Sequence, residues 1–267
     1  MRLPRGEIRN GMECHSTGWQ GIVFEVMAMN PQSPRKTRSR RETLIHYLKS
    51  QSPLLIGAAL LLGFGLIAEE VAEGEPIAFD RWVMLALRQA SDPLLPIGPS
   101  WLPDVARDIT ALGSTIVLGL VLIAATGYLF AAGKRSTGWF VLATVLSGTL
   151  INSLFKLLFG RARPDLVNHL TEVVTLSFPS GHSALSAVCY LTLGVLLAQT
   201  HASRTLQSYF VAIAMVLTFL VGLSRVYLGV HYPTDVLGGW CFGIAWALIC
   251  WTIMRYFQRS GELSRAD

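Results

Sequence analysis

Residues 205–254 read TLQSYFVAIAMVLTFLVGLSRVYLGVHYPTDVLGGWCFGIAWALICWTIM, two stretches free of charge and histidine on either side of a short polar segment. The flanking runs, Thr205 to Ser224 and Val236 to Met254, hold 20 and 19 residues. A hydrocarbon core of about 30 Å takes on the order of 20 helical residues to cross, and an isolated segment there satisfies its backbone hydrogen bonds only as a helix. Each run therefore predicts a transmembrane helix, and Arg225 to Asp235 predicts the bridge between them at one membrane face.

The same count, carried outward, finds four more runs: Ser50 to Ala68 (19 residues), Ile109 to Gly133 (25), Ser136 to Phe155 (20) and Ser183 to Thr200 (18). The fold class expected is an all-α integral membrane protein with six transmembrane helices. Composition agrees: 52% of the 267 residues are hydrophobic and 15% charged, against roughly 45–50% and about 25% in soluble domains. A soluble single-domain enzyme, a disordered chain, collagen and a coiled coil are all excluded on that arithmetic.

The formal charge of +5 does not indicate a nucleic-acid partner, because the basic residues lie in short tracts beside apolar segments. They report topology. With the amino terminus inside, 15 of the 22 Lys and Arg residues fall on the cytoplasmic side, as the positive-inside rule requires. Both termini are then cytoplasmic, and a plasma (inner) membrane is the expected location. Residues 1–49 form a basic, disordered cytoplasmic tail in this reading, whose tract Arg35 to Arg41 attracts anionic headgroups, with Met12, Met27 and Met29 as candidate alternative starts. Residues 50–256 form the membrane domain and 257–267 a second cytoplasmic tail. Between the first two spans, 69–108 is an outer loop with eight acidic residues and several prolines. Within it, Asp80 to Ala90 is too short to cross and reads as an interfacial helix. The four cysteines show no CxxC pair and read as packing residues, and no metal site is indicated.

Three polar clusters interrupt the apolar pattern, and this topology brings all of them to the non-cytoplasmic helix ends. They are Lys156-Leu-Leu-Phe-Gly-Arg161-Ala-Arg163-Pro164, Phe178-Pro-Ser180-Gly181-His182 and Ser224-Arg225-Val-Tyr-Leu-Gly-Val-His231-Tyr-Pro-Thr-Asp235. Lys156, Arg163 and Arg225 would place three cations around one point, an arrangement that suits a tetrahedral oxyanion such as phosphate. Ser180 can cap the following helix while backbone amides at Ser180 and Gly181 face an anion at the positive end of its dipole. His231 and Asp235, four apart, let a carboxylate fix one imidazole nitrogen and leave the other free to attack. His182 can protonate the leaving oxygen. Each residue alone has a structural alternative: snorkelling for the cations, a simple capping turn for Ser180 and Asp235, an interfacial histidine for the others.

Together the clusters resemble, with all spacings kept, the tripartite signature of the type-2 phosphatidic acid phosphatase superfamily: Lys-x6-Arg-Pro, Pro-Ser-Gly-His and Ser-Arg-x5-His-x3-Asp. The resemblance spans Lys156 to Asp235; residues 1 to about 110 carry no family-specific residue. It implies a metal-independent, cofactor-free phosphomonoester or diphosphate hydrolase. His231 forms a phosphohistidine oriented by Asp235. His182 acts as acid and then base, and Lys156, Arg163, Arg225 and the Ser180 and Gly181 amides hold the phosphoryl group. Arg161 lies in the same loop without being demanded by the motif.

A site at helix ends suits an amphiphile whose chains stay in the bilayer. Phosphatidic acid, phosphatidylglycerol phosphate and a polyprenyl diphosphate such as undecaprenyl diphosphate all fit. Transfer of the phosphate to another lipid uses the same residues and is the alternative activity. A non-catalytic lipid-phosphate binding or transport protein would need the cations but not His182, His231 and Asp235 together. Trp101, Trp240 and Trp246 read as belt or packing aromatics, with lateral access for a lipid as the other use.

Overall fold

The computed structural model describes residues 40–74, 77–171 and 175–260. The expected disorder of residues 1–39, the candidate starts within them and the last residues, 261–267, lie outside that range. Among the described residues eight helices follow in order: α1 (Arg40–Ala72), α2 (Ala78–Ala86), α3 (Leu102–Ala111), α4 (Thr115–Ala131), α5 (Arg135–Phe159), α6 (Gly181–Gln199), α7 (Arg204–Tyr227) and α8 (Pro233–Ser260). Between α2 and α3 a small antiparallel hairpin, β1 (Arg88–Gln89) and β2 (Asp92–Pro96), adds the one sheet among the described residues.

Five helices, α1 and α5 to α8, are long and apolar enough to cross a membrane. The sixth crossing differs from its expected form. In place of one helix from Ile109 to Gly133, α3 and α4 meet at a 42° bend. The apolar run has no charge to betray the break, but Ser114 caps α4 by accepting from the Val117 amide at 3.2 Å. Gly113 permits the neighbouring span to come close: a Cβ there would stand 2.3 Å from Val221 Cγ1 and 3.3 Å from the His182 ring. α1 extends back to Arg40, ahead of its apolar run.

Leu62, Ile116, Ile123 and Leu157 are 66–77% exposed, a surface that only lipid tails can cover without cost. The protein is an integral membrane protein. Its packing therefore relies on close van der Waals contact and not on removal of apolar surface from water. Half of the apolar windows of α6 and α8 are buried, against 22% in α1 and α7, so α6 and α8 form the centre. Small residues allow it. A Cβ on Gly239 would meet the Ser180 carbonyl at 2.8 Å and one on Gly243 the Ala184 carbonyl at 2.5 Å, so α8 lies directly on the backbone of α6.

Phe178, fully buried, stacks on Phe64 of α1 with centroids 5.7 Å apart and meets Phe159 of α5 edge-on at 5.1 Å. This aromatic cluster seats the chain entering α6, and so locates the polar turn above it. Trp240 and Trp246 are packing residues whose indoles donate to Thr218 and Thr144 carbonyls across helices, whereas Trp101 is exposed just before α3. Cys189 and Cys250 are buried, Cys241 partly so, and all three are free thiols.

Candidate functional site

The ends of α5, α6, α7 and α8 that carry the three polar clusters meet on one end of the bundle. α8 begins at Pro233, and the first turn puts Asp235 beneath His231: Nδ1 and Oδ2 are 3.3 Å apart. On the other side of the ring an Arg163 Nη1 lies 3.2 Å from Nε2. A guanidinium only donates, so Nε2 is the acceptor and the ring proton sits on Nδ1, facing Asp235. Arg163 is fixed by the Val230 carbonyl and by the carbonyl and hydroxyl of Thr175.

His231 is 1% exposed, and burial pushes its pKa down to about 3. Asp235 opposes that shift, while Arg163 and Arg225 add to it. A buried imidazole among cations stays neutral, with an unprotonated Nε2 whose lone pair accepts from Arg163.

Asp235, 0% exposed, is the most connected acceptor of the site. Its Oδ2 also accepts from Ser177 Oγ at 2.5 Å and the Tyr232 amide at 2.9 Å, and its Oδ1 pairs with Arg161 at 2.6 Å. Arg161 forks to Asp80 of α2 at 2.8 Å and stacks 4.1 Å over the Tyr232 ring. Burial disfavours its charge, but Asp235 and Asp80 more than offset this and raise its pKa.

Lys156, at the end of α5, donates to the Leu176 and Ser177 carbonyls beside Gly181. Arg225, buried at 3% exposure, donates to Thr110 of α3, and its Nε has no partner among the described residues. His182 lies within the electrostatic reach of Arg225, His231, Arg163 and Lys156. All the expected site residues are thus brought together.

One expectation requires correction. The Ser180 amide cannot hold an anion, because it donates to the Asp235 carbonyl at 3.0 Å. The Ser180 hydroxyl caps α6, accepting from the Ser183 amide and hydroxyl, and the residue is fully buried. The free first-turn amides are those of Gly181 and His182, one residue further on, for which no acceptor occurs among the described residues.

Four contributors were not anticipated: Asp80, Ser177, Thr234 and Thr110. Asp80 left a signal, since it falls with Met84 on the buried stripe of the amphipathic helix α2, and a carboxylate on such a stripe requires a partner. Ser177, one residue before the Phe-Pro-Ser-Gly-His cluster, carries no such mark in the sequence. Among the described residues no three His, Cys, Asp or Glu side chains converge to hold a metal ion.

The family model of the PAP2 superfamily matches residues 137–259. Phosphatidylglycerophosphatase B of Bacillus subtilis is 39% identical over 149 residues, covering 54% of this chain and 71% of that protein. The chain belongs to the PAP2 superfamily. The transmembrane PAP2-type phosphatidylglycerolphosphate phosphatase structure from Bacillus subtilis superposes with a TM-score of 0.67 at 30% identity, over 76% of this chain and 98% of that one. Lipid A 1-phosphatase of Rhizobium johnstonii is 33% identical over 138 residues, 47% of this PAP2 chain and 50% of that protein. Like its PAP2 relatives, the protein is a membrane-embedded hydrolase of phosphoric esters.

Proposed function

We propose that the protein removes a terminal phosphate from a membrane lipid through a phosphohistidine on His231. The observation that carries this reading is the line Asp235, His231 Nδ1, His231 Nε2 and Arg163, which ends on a lone pair facing a phosphate-binding cation. With substrate present, Arg163 turns from Nε2 to a phosphoryl oxygen, joined by Lys156, Arg225 and the Gly181 and His182 amides. Nε2 then attacks phosphorus. As the P–N bond forms, the bond to the leaving oxygen breaks and His182 delivers its proton to that oxygen. Water next attacks phosphorus and gives its proton back to His182, the P–N bond breaks and inorganic phosphate leaves. The cations spread over the equatorial oxygens where charge accumulates, which is the main source of catalysis in phosphoryl transfer. No metal is needed in this scheme.

The relatives named above act on different lipid phosphates, so the substrate class supported is a lipid phosphomonoester or diphosphate. The proposed sidedness places the site on the outer face of the plasma membrane, on the strength of the Lys and Arg distribution.

The test is phosphate release in EDTA by detergent-purified protein from phosphatidic acid, phosphatidylglycerol phosphate and undecaprenyl diphosphate. Wild-type release, at least roughly 10³-fold reduced in His231→Ala and His182→Ala, is expected. An absolute requirement for a divalent metal would overturn the scheme, and phosphorylated lipid in place of free phosphate would turn it into a transferase.

A further inference from the structure

Asp80 lies on α2, 155 positions before Asp235, yet it is 1% exposed and bound to Arg161, a partner of that carboxylate. Its Oδ2 accepts from Arg161 Nη2 at 2.8 Å and from Thr234 Oγ1 at 2.6 Å, and its Oδ1 from the Thr234 amide at 2.9 Å. We propose that Asp80 is a positioning residue for the reaction at His231, acting by sharing Arg161 with Asp235. The inference rests on the reading of His231 as nucleophile.

The charges explain why a second carboxylate is needed. Asp235 must stabilise the imidazolium that forms as His231 attacks, and its bond to Nδ1 is the longest of its four at 3.3 Å. Paired with Arg161 alone, the Asp235 charge would be cancelled on the side away from the histidine. With Asp80 on the other fork of the guanidinium, the three groups carry one net negative charge in a poorly solvated setting, with side chains 14%, 2% and 0% exposed. That charge faces a histidine already repelled by Arg163 and Arg225. Asp80 also holds the Thr234 backbone at the first turn of α8, directly before Asp235, so charge and carboxylate orientation are set by one residue. Arg161 keeps its place by two further contacts, a hydrogen bond to Thr234 Oγ1 at 2.8 Å and the Tyr232 ring.

The experiment compares wild type, Asp80→Asn, Asp80→Glu, Arg161→Gln and Asp80→Asn/Arg161→Gln as full-length protein in detergent. Turnover is measured on dioctanoyl phosphatidic acid, with thermal midpoints. Asp80→Asn keeps the shape and a Thr234 acceptor but leaves Asp235 as the sole carboxylate on Arg161. It should lower kcat by about 10- to 100-fold with KM within about twofold, and Asp80→Glu should recover part of the loss. Because Asp80 acts through Arg161, the double variant should turn over no slower than Arg161→Gln alone. That comparison holds even if Asp80→Asn by itself does not fold. Unchanged kcat in Asp80→Asn, or a double variant slower than Arg161→Gln in step with a lower midpoint, would overturn the proposal and leave Asp80 an anchor of α2. A second readout is independent of turnover: in 15N-histidine NMR, Asp80→Asn should make His231 harder to protonate. An inert wild type that still shows this change would refute the hydrolase reading and not the Asp80–Arg161–Asp235 coupling. No change would refute the coupling.

Discussion

At the scale of single residues, the proposed reaction needs His231 neutral to attack phosphorus and charged once it has done so. Burial and two arginines hold its pKa at about 3, well below the ordinary value. As pH falls from the ordinary histidine value of about 6.5, the unfolded chain takes up a proton at this position and the native site does not until near its lowered pKa. Stability is therefore lost progressively on acidification through that window, and the nucleophile stays unprotonated throughout it. The 15N spectrum of His231, assigned by its absence in His231→Gln, should show the neutral Nδ1–H tautomer at pH 5. An imidazolium spectrum at that pH would contradict the burial and the arginine field. The residue types of this site were legible because Lys-x6-Arg-Pro, Pro-Ser-Gly-His and Arg-x5-His-x3-Asp are local patterns. Which amides remain free was not, because the Ser180 N–H is consumed by a carbonyl 55 positions away.

At the scale of elements, α6 and α8 meet through glycine, and in lipid such contact replaces the hydrophobic effect as the source of cohesion. Gly243→Val puts a branched side chain where a Cβ would already lie 2.5 Å from the Ala184 carbonyl, and neither backbone can retreat cheaply. The variant should lose on the order of 2 kcal/mol or more, seen as a lower thermal midpoint in detergent. Gly65→Ala is the control, since nothing lies within 4 Å of a Cβ there and alanine favours the helix, so its midpoint should not fall below the wild-type value. Five spans were readable from uninterrupted apolar runs. The sixth was readable as a run but not as a bent pair, because its break at Gly113 and Ser114 contains no charge and depends on how closely Val221 and His182 approach. That bend is what lets α3 offer the Thr110 hydroxyl to Arg225.

At the scale of the whole molecule, a wide lipid-facing surface and a polar cluster at one end of the bundle define how substrate arrives. On the proposed function, a lipid phosphate would diffuse in the plane of the membrane and meet the site at the headgroup level with its chains still in the apolar phase. Phosphate release in mixed micelles should then follow the mole fraction of lipid phosphate in the micelle, and fall when inert detergent is added at constant bulk substrate. A rate set by bulk concentration alone would show that the chains leave the apolar phase before reaction.

Apolar run length, charge placement and motif spacing are one-dimensional properties, and from them the chain by itself determined the membrane class, the number of apolar runs and the gathering of three polar clusters at one end of the helices. The tertiary structure alone decided the bend in the second crossing, the shift of the free amides from Ser180 to His182, and the entry of Asp80 and Ser177 around Asp235. The physical reason is common to all three. Each depends on a hydrogen bond, ion pair or close approach between groups far apart in the chain, and such partners are chosen by how the helices pack, which no local pattern encodes.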